Sequence, residues 1–121
     1  MPPASPRKSS TSSGRPASRR PRYLGIEAAG EHLPPPLPRW WEATLRDRLD
    51  RAGVRGRFRL VRAEAHRAIA EVDHRDAPAA RAAWTVDVGN GPGTVRLATR
   101  RTWGTLRGAK AWLRAGAATG S

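Results

Sequence analysis

Arg100, Arg101, Arg107, Lys110 and Arg114 fall in one stretch, TVRLATRRTWGTLRGAKAWLR from Thr94 to Arg114, that holds no carboxylate. Cations at this density hold polyanions, because each phosphate they neutralise releases a condensed counterion. Arg96 adds a cation on the strand side of the stretch. Gly104 and Thr105 form a step where uncovered amides at a helix start carry partial positive charge and Thr105 can donate its hydroxyl. In a small, otherwise aliphatic domain the expected polyanion is a nucleic acid, with RNA contact at Arg96, Arg100, Arg101, Thr105, Arg107, Lys110 and Arg114. The plainer alternative makes Thr105 an ordinary N-cap and the arginines a solvated face; the absence of acids weighs against it.

A second basic set, Arg55, Arg57, Arg59 and Arg62, surrounds Phe58 and Leu60, and strand alternation sends Arg57 and Arg59 to the face opposite those two. A sheet face bearing arginine needs solvent, RNA or a partner. The exposed aromatics that stack single-stranded bases are missing, so readout of shape and phosphate fits better. His32, His66 and His74 match no ligand spacing, and Glu64, Asp73 and Asp76 read more simply as strand-end solvation and helix capping. No catalytic residue and no protein-bound metal is therefore expected. Trp41 belongs to a helical apolar stripe. Trp40 lies about 100° round the helix from it, either as a partner interface or as a cover for Pro34 to Pro36.

These residues need a scaffold, and composition limits its size. The chain has 121 residues, with 23 Lys plus Arg against 10 Asp plus Glu and a formal net charge of +13, which suits one small domain with basic extensions. Only Lys8 and Lys110 are lysines. The arginine bias favours forked phosphate contacts, although a GC-rich genome produces the same bias with no functional meaning. The absence of cysteine excludes disulfides, thiolate-bound metals and thiol catalysis. No apolar run is long enough to span a bilayer and no secretory signal opens the chain, so a cytoplasmic protein without a membrane partner is expected.

Residues 1–21 combine five Pro, six Ser and five cations with no acid, and read as a disordered basic tail, either a solvated leader or an arm for RNA phosphates. The ordered domain is expected over 22–115, with 116–121 flexible. Leu24, Ile26 and Ala28 alternate as a strand. Leu37, Trp41, Leu45, Leu49 and Ala52 recur at helical spacing up to a left-handed cap at Gly53. Phe58, Leu60 and Val61 mark a second strand, and Ala68 to Val72 a third, joined through Ala63 to Arg67. Asp76 caps a short helix that runs to about Trp84. Gly89 to Gly93 make a turn, Thr94 to Ala98 a fourth strand, and Leu106, Ala109 and Leu113 the face of a closing helix. This order, β-α-β-β-α-β plus a C-terminal helix, predicts an α+β, ferredoxin-like split βαβ domain: one sheet with helices on one face. The fold alone identifies no function.

From Arg22 to Leu113 the chain resembles the archaeal and eukaryotic ribonuclease P protein component 2 family. Three places carry the likeness: Arg22, Tyr23 and Leu24 opening the first strand; AEVDHRDAPAARAAW; and Trp103, Gly104, Thr105, Leu106 and Arg107 entering a helix that ends in the pair Trp112 and Leu113. The family usually has Ser where Trp103 stands, and Gly108 weakens its helix by about 1 kcal/mol relative to Ala. The resemblance implies a non-catalytic subunit of the ribonucleoprotein that removes the 5′ leader from precursor tRNA. It further implies ribonuclease P RNA as partner, a heterotetramer with two copies each of this chain and of component 3, other ribonuclease P proteins, and indirect contact with precursor tRNA. Magnesium held by RNA phosphates is expected for the reaction, and no cofactor on the protein. The rival readings are a ribosomal or other structural RNA-binding protein, and a small metal-dependent ribonuclease using His66, Asp73 and His74.

Overall fold

In the computed structural model, which describes residues 20–30, 36–90 and 93–119 without the side chains of 90 and 116–119, alternation in the first strand holds as expected, and both of its faces are covered. The elements run β1 (Pro21–Ala29), α1 (Pro38–Arg51), β2 (Phe58–Glu64), β3 (Arg67–Asp73), α2 (Ala77–Ala83), β4 (Val86–Asn90), β5 (Gly93–Trp103) and α3 (Leu106–Thr119). They form one antiparallel sheet in the order β2-β3-β1-β5-β4. Without β4 this is the ferredoxin-like arrangement, α1 and α2 each crossing between strands that are not neighbours. The readings of residues 1–19, of His32 and of the Gly91–Pro92 tip lie outside the described residues.

Leu24, Ile26 and Ala28 of β1, Ala68, Ala70 and Val72 of β3, and Val95 and Leu97 of β5 point to the face that α1 and α2 cover. Helix α1 buries Trp41, Leu45 and Leu49 there, starts on Pro38 and stops where Gly53 turns to φ +79°, as its spacing predicts. Helix α2 offers only small side chains, Ala77 and Ala80, so the Trp84 ring fits beneath it and donates its Nε1 hydrogen to the Leu45 carbonyl at 3.0 Å. A buried Trp is stable when its N–H is satisfied in this way.

The opposite face receives α3. Ala109 and Leu113 pack on Ile69, with Tyr23, Val61, Trp103, Leu106 and Trp112 around them. The Trp103 and Trp112 rings meet at 5.5 Å between centroids. A Cβ added to Gly25 would stand 2.8 Å from Trp112 and 2.9 Å from Trp103, and one added to Gly108 would stand 2.8 Å from Trp103. The two unusual residues noted in the sequence are therefore one feature, since Trp103 occupies the space that Gly108 leaves empty.

Four expectations need correction. The fourth strand is not confined to Thr94–Ala98: it begins at Gly93 and reaches Trp103, and its bulge at Arg100, opposite the Gly25/Ile26 step, breaks the period-2 signal beyond Ala98. A further strand, β4, occupies Val86–Asn90, so Gly89, Asn90 and Gly93 belong to paired strands rather than to a turn. Asp76 precedes α2 but makes no side-chain cap bond; its carboxylate lies against Gly56. The β2–β3 connection, expected over Ala63–Arg67, tightens to Ala65 and His66, and Ala65 takes φ 52° because a two-residue hairpin demands the left-handed region.

Candidate nucleic-acid interface

Helix α3 turns its apolar residues to the sheet, which leaves Arg107, Lys110 and Arg114 within about 60° of one another on the outer side. Arg107 and Arg114 are exposed. Lys110 is half-buried where the helix meets β2, and with Arg62, Glu64, Leu113 and Arg114 it borders a small cavity of about 90 Å³. Pairing register puts Arg59 and Arg62 of β2, Arg67 of β3 and Arg96, Arg100 and Arg101 of β5 on this same face of the sheet. The sheet thus unites basic sets that are far apart in sequence, and Arg59 lies opposite Phe58 and Leu60 as alternation requires.

Acids absent from the local sequence come from across the strands. Arg100 is not unneutralised: its Nε lies 2.8 Å from Glu27 Oε1. Arg59 reaches Glu71 at 2.6 Å, Arg62 reaches Glu64 at 2.5 Å and Arg96 reaches Asp87 at 3.1 Å. Among the described residues no carboxylate pairs with Arg57, Arg101, Arg107, Lys110 or Arg114, and Arg101 instead lies 5.9 Å over the Trp103 ring. These unpaired groups are the ones free to take phosphate without first giving up an internal partner. Exposed ion pairs of the Arg96–Asp87 kind contribute little to stability.

Arg67, which the sequence reading passed over, fastens the helix to the sheet. Its Nε is 2.8 Å from Glu27 Oε2, its NH1 donates to the Trp112 carbonyl at 2.7 Å, and its guanidinium lies 4.2 Å from the centre of the Trp112 ring. No local signal marked it: the sequence places Arg67 in the connection between the second and third strands, and it comes to stand opposite Glu27 only through the pairing of β1 with β3. Burial alone would raise the Glu27 pKa, but hydrogen bonds and charge from Arg100 and Arg67 outweigh it and lower the pKa below the ordinary 4.5. A depressed folded-state pKa adds stability above pH 4.5 that is lost as pH falls through the folded value. Below about pH 4.5 the Glu27→Gln protein should therefore lose less stability with acidification than the wild type, as acid titration of denaturant midpoints will show.

The remaining candidates fall elsewhere. Thr105 is exposed at the entry to α3, and Arg57 is exposed before β2. Trp40 is half-buried on the α1 side, edge-on to Trp41 at 5.4 Å. His74 Nδ1 lies 3.1 Å from Asp73 Oδ1, and among the described residues no three His, Asp or Glu side chains converge to hold a metal ion. No described helix is long and apolar enough to cross a membrane.

The two longer helices differ in charge. On α1, Arg39, Arg46, Arg48 and Arg51 are interleaved with Glu42, Asp47 and Asp50, whereas α3 carries Arg107, Lys110 and Arg114 with no acid, on a sheet face that adds Arg59, Arg62, Arg67, Arg96, Arg100 and Arg101 against Glu27, Glu64, Glu71 and Asp87. A ferredoxin-like sheet carrying a cationic helix on its second face is the class of protein that fold and charge define. Its fold is shared with a chain in the cryo-EM structure of yeast ribonuclease MRP, with a TM-score of 0.63 at 13% identity over 84% of this chain and 91% of that one. No family model matches, and no curated protein does.

Proposed function

We propose that this chain is a protein subunit of a ribonuclease P or MRP type of particle, binding and stabilising its RNA through the α3 face and supplying no reacting group itself. The observation that carries the reading is the α3 ridge of Arg107, Lys110 and Arg114, which has no acidic partner among the described residues and stands on a sheet face rich in arginine. The fold shared with a ribonuclease MRP chain and the three sequence motifs support it. In this reading the RNA, with magnesium on its phosphates, removes the 5′ leader of precursor tRNA, component 3 is the protein partner in a heterotetramer, and Trp40 is available on the far side for a protein contact. Positioned cations lower the repulsion between folded RNA strands, which is how a protein assists catalysis without donating a catalytic group.

The tagged protein, purified gently from its own cells, should carry a structured RNA and remove the leader from precursor tRNA until the RNA is digested. Recovery of ribosomal RNA without cleavage would support the structural RNA-binding alternative instead. Cleavage that survives RNA digestion would overturn the proposal in favour of a protein enzyme.

A further inference from the structure

At one end of the sheet, where β2 begins, β3 ends and α2 is entered, a cleft of about 670 Å³ collects Arg57, Arg59 and Arg75 with Glu71, Asp73 and Asp76. That volume lies within the range of about 300–1,000 Å³ typical of small-ligand sites. Most of the charged groups are engaged. Glu71 is held by Arg59 through two contacts, at 2.6 and 3.1 Å. Asp73 accepts the Arg75 amide hydrogen at 3.0 Å and faces His74. Arg75 itself is only loosely drawn in, with its Nε 4.0 Å from Asp73.

Asp76 and Arg57 are different. The Asp76 carboxylate makes no cap bond to α2 and lies against the bare backbone of Gly56, where any side chain would collide with it. Among the described residues neither Asp76 nor Arg57 has a side-chain hydrogen bond or ion pair. The cleft therefore presents one unpaired carboxylate, one free guanidinium and a second that is weakly held, beside the apolar edges of Phe58, Val72 and Pro21. No three acids or histidines among the described residues converge for a metal ion.

We propose that this cleft binds an unpaired guanine nucleotide of RNA, an assignment that rests on the RNA-binding reading above. Of the four bases only guanine presents two adjacent N–H donors, N1 and the 2-amino group, to a single carboxylate. Adenine and cytosine set a ring acceptor beside their amino group, and uracil flanks its one N–H with carbonyls. Asp76 takes the guanine edge, and Arg57 and Arg75 take the flanking phosphate. The cleft borders the cationic face through Arg59, so a strand lying along α3 can turn a base into it.

The test measures fluorescence anisotropy of the full chain with short uridine tracts carrying a single central G, A, C, U or inosine, and with free guanosine monophosphate. The G tract should bind roughly tenfold tighter than the others, inosine included, since it lacks the 2-amino donor. Asp76→Asn should erase that preference, while Arg57→Ala should weaken all tracts alike. Asn is as good as Asp at a helix entry and no cap bond is lost, so an unchanged melting curve is expected for both variants. Equal binding of all the tracts, or a preference that persists in Asp76→Asn, overturns the cleft assignment alone. Free guanosine monophosphate binding as tightly as the G tract overturns the RNA occupant. No binding to any tract also overturns the cleft assignment, while loss of binding to structured RNA as well would sink the RNA-binding reading itself.

Discussion

Gly25→Ala is expected to lower the denaturation midpoint by an amount equivalent to about 1–3 kcal/mol, the range for inserting a methyl group into a packed interior. Gly25 lies in β1, paired on one side with Ile69 of β3 and on the other with Arg101 of β5, so its backbone cannot retreat from the rings above it. Those rings are themselves confined, Trp103 by Gly108 and Trp112 by the Arg67 guanidinium. Gly108→Ala should behave differently, because in a helix Ala is favoured over Gly by about 1 kcal/mol, which offsets part of the clash with Trp103. The informative measurement is a double-mutant cycle. In the Trp103→Ser background the clash is gone, and Gly108→Ala should then stabilise the protein by up to about 1 kcal/mol. A Gly108→Ala effect of the same sign and size in both backgrounds would show that the two positions are not coupled.

The contrast between the legible and illegible parts of the sequence follows from the range of the interactions. Helix α1 could be read residue by residue, since Pro38, the Trp41–Leu45–Leu49 stripe and Gly53 are local signals obeying one period. The last strand could not, because the bulge at Arg100 inserts a residue whose effect is visible only against its partner β1. Strand β4 was hidden for a related reason: Val86 and Val88 are few, and the glycines that follow speak more loudly for a turn than for a sheet edge. At the candidate site the cations were recognised from their own segment, whereas Glu27, seventy-three positions from Arg100, became their neighbour only through pairing. The Trp103–Gly108 fit belongs to the same class. Each residue alone looks like a weakness in its element, and their complementarity exists only once α3 crosses the sheet.

That long-range pairing also determines which charges matter for RNA. Simultaneous replacement of Arg107, Lys110 and Arg114 by Ala should reduce affinity for a structured RNA on the order of a hundredfold near 0.1 M salt, and should flatten the plot of log affinity against log salt by about 0.7–0.9 per lost phosphate contact. These substitutions keep or slightly improve helix propensity and remove no ion pair among the described residues, so reduced binding will not be a folding defect. Arg96→Ala should have a smaller effect than any one of them, because Arg96 must part from Asp87 before it can serve a phosphate. Glu27→Gln should act in the opposite direction and steepen the salt dependence, since it releases the Arg100 and Arg67 guanidiniums from a shared carboxylate. The opposed signs separate a phosphate-binding face from a solvated charged surface. On a solvated surface neither the triple replacement nor Glu27→Gln would change the slope, and RNA would have to be sought on another face of the sheet.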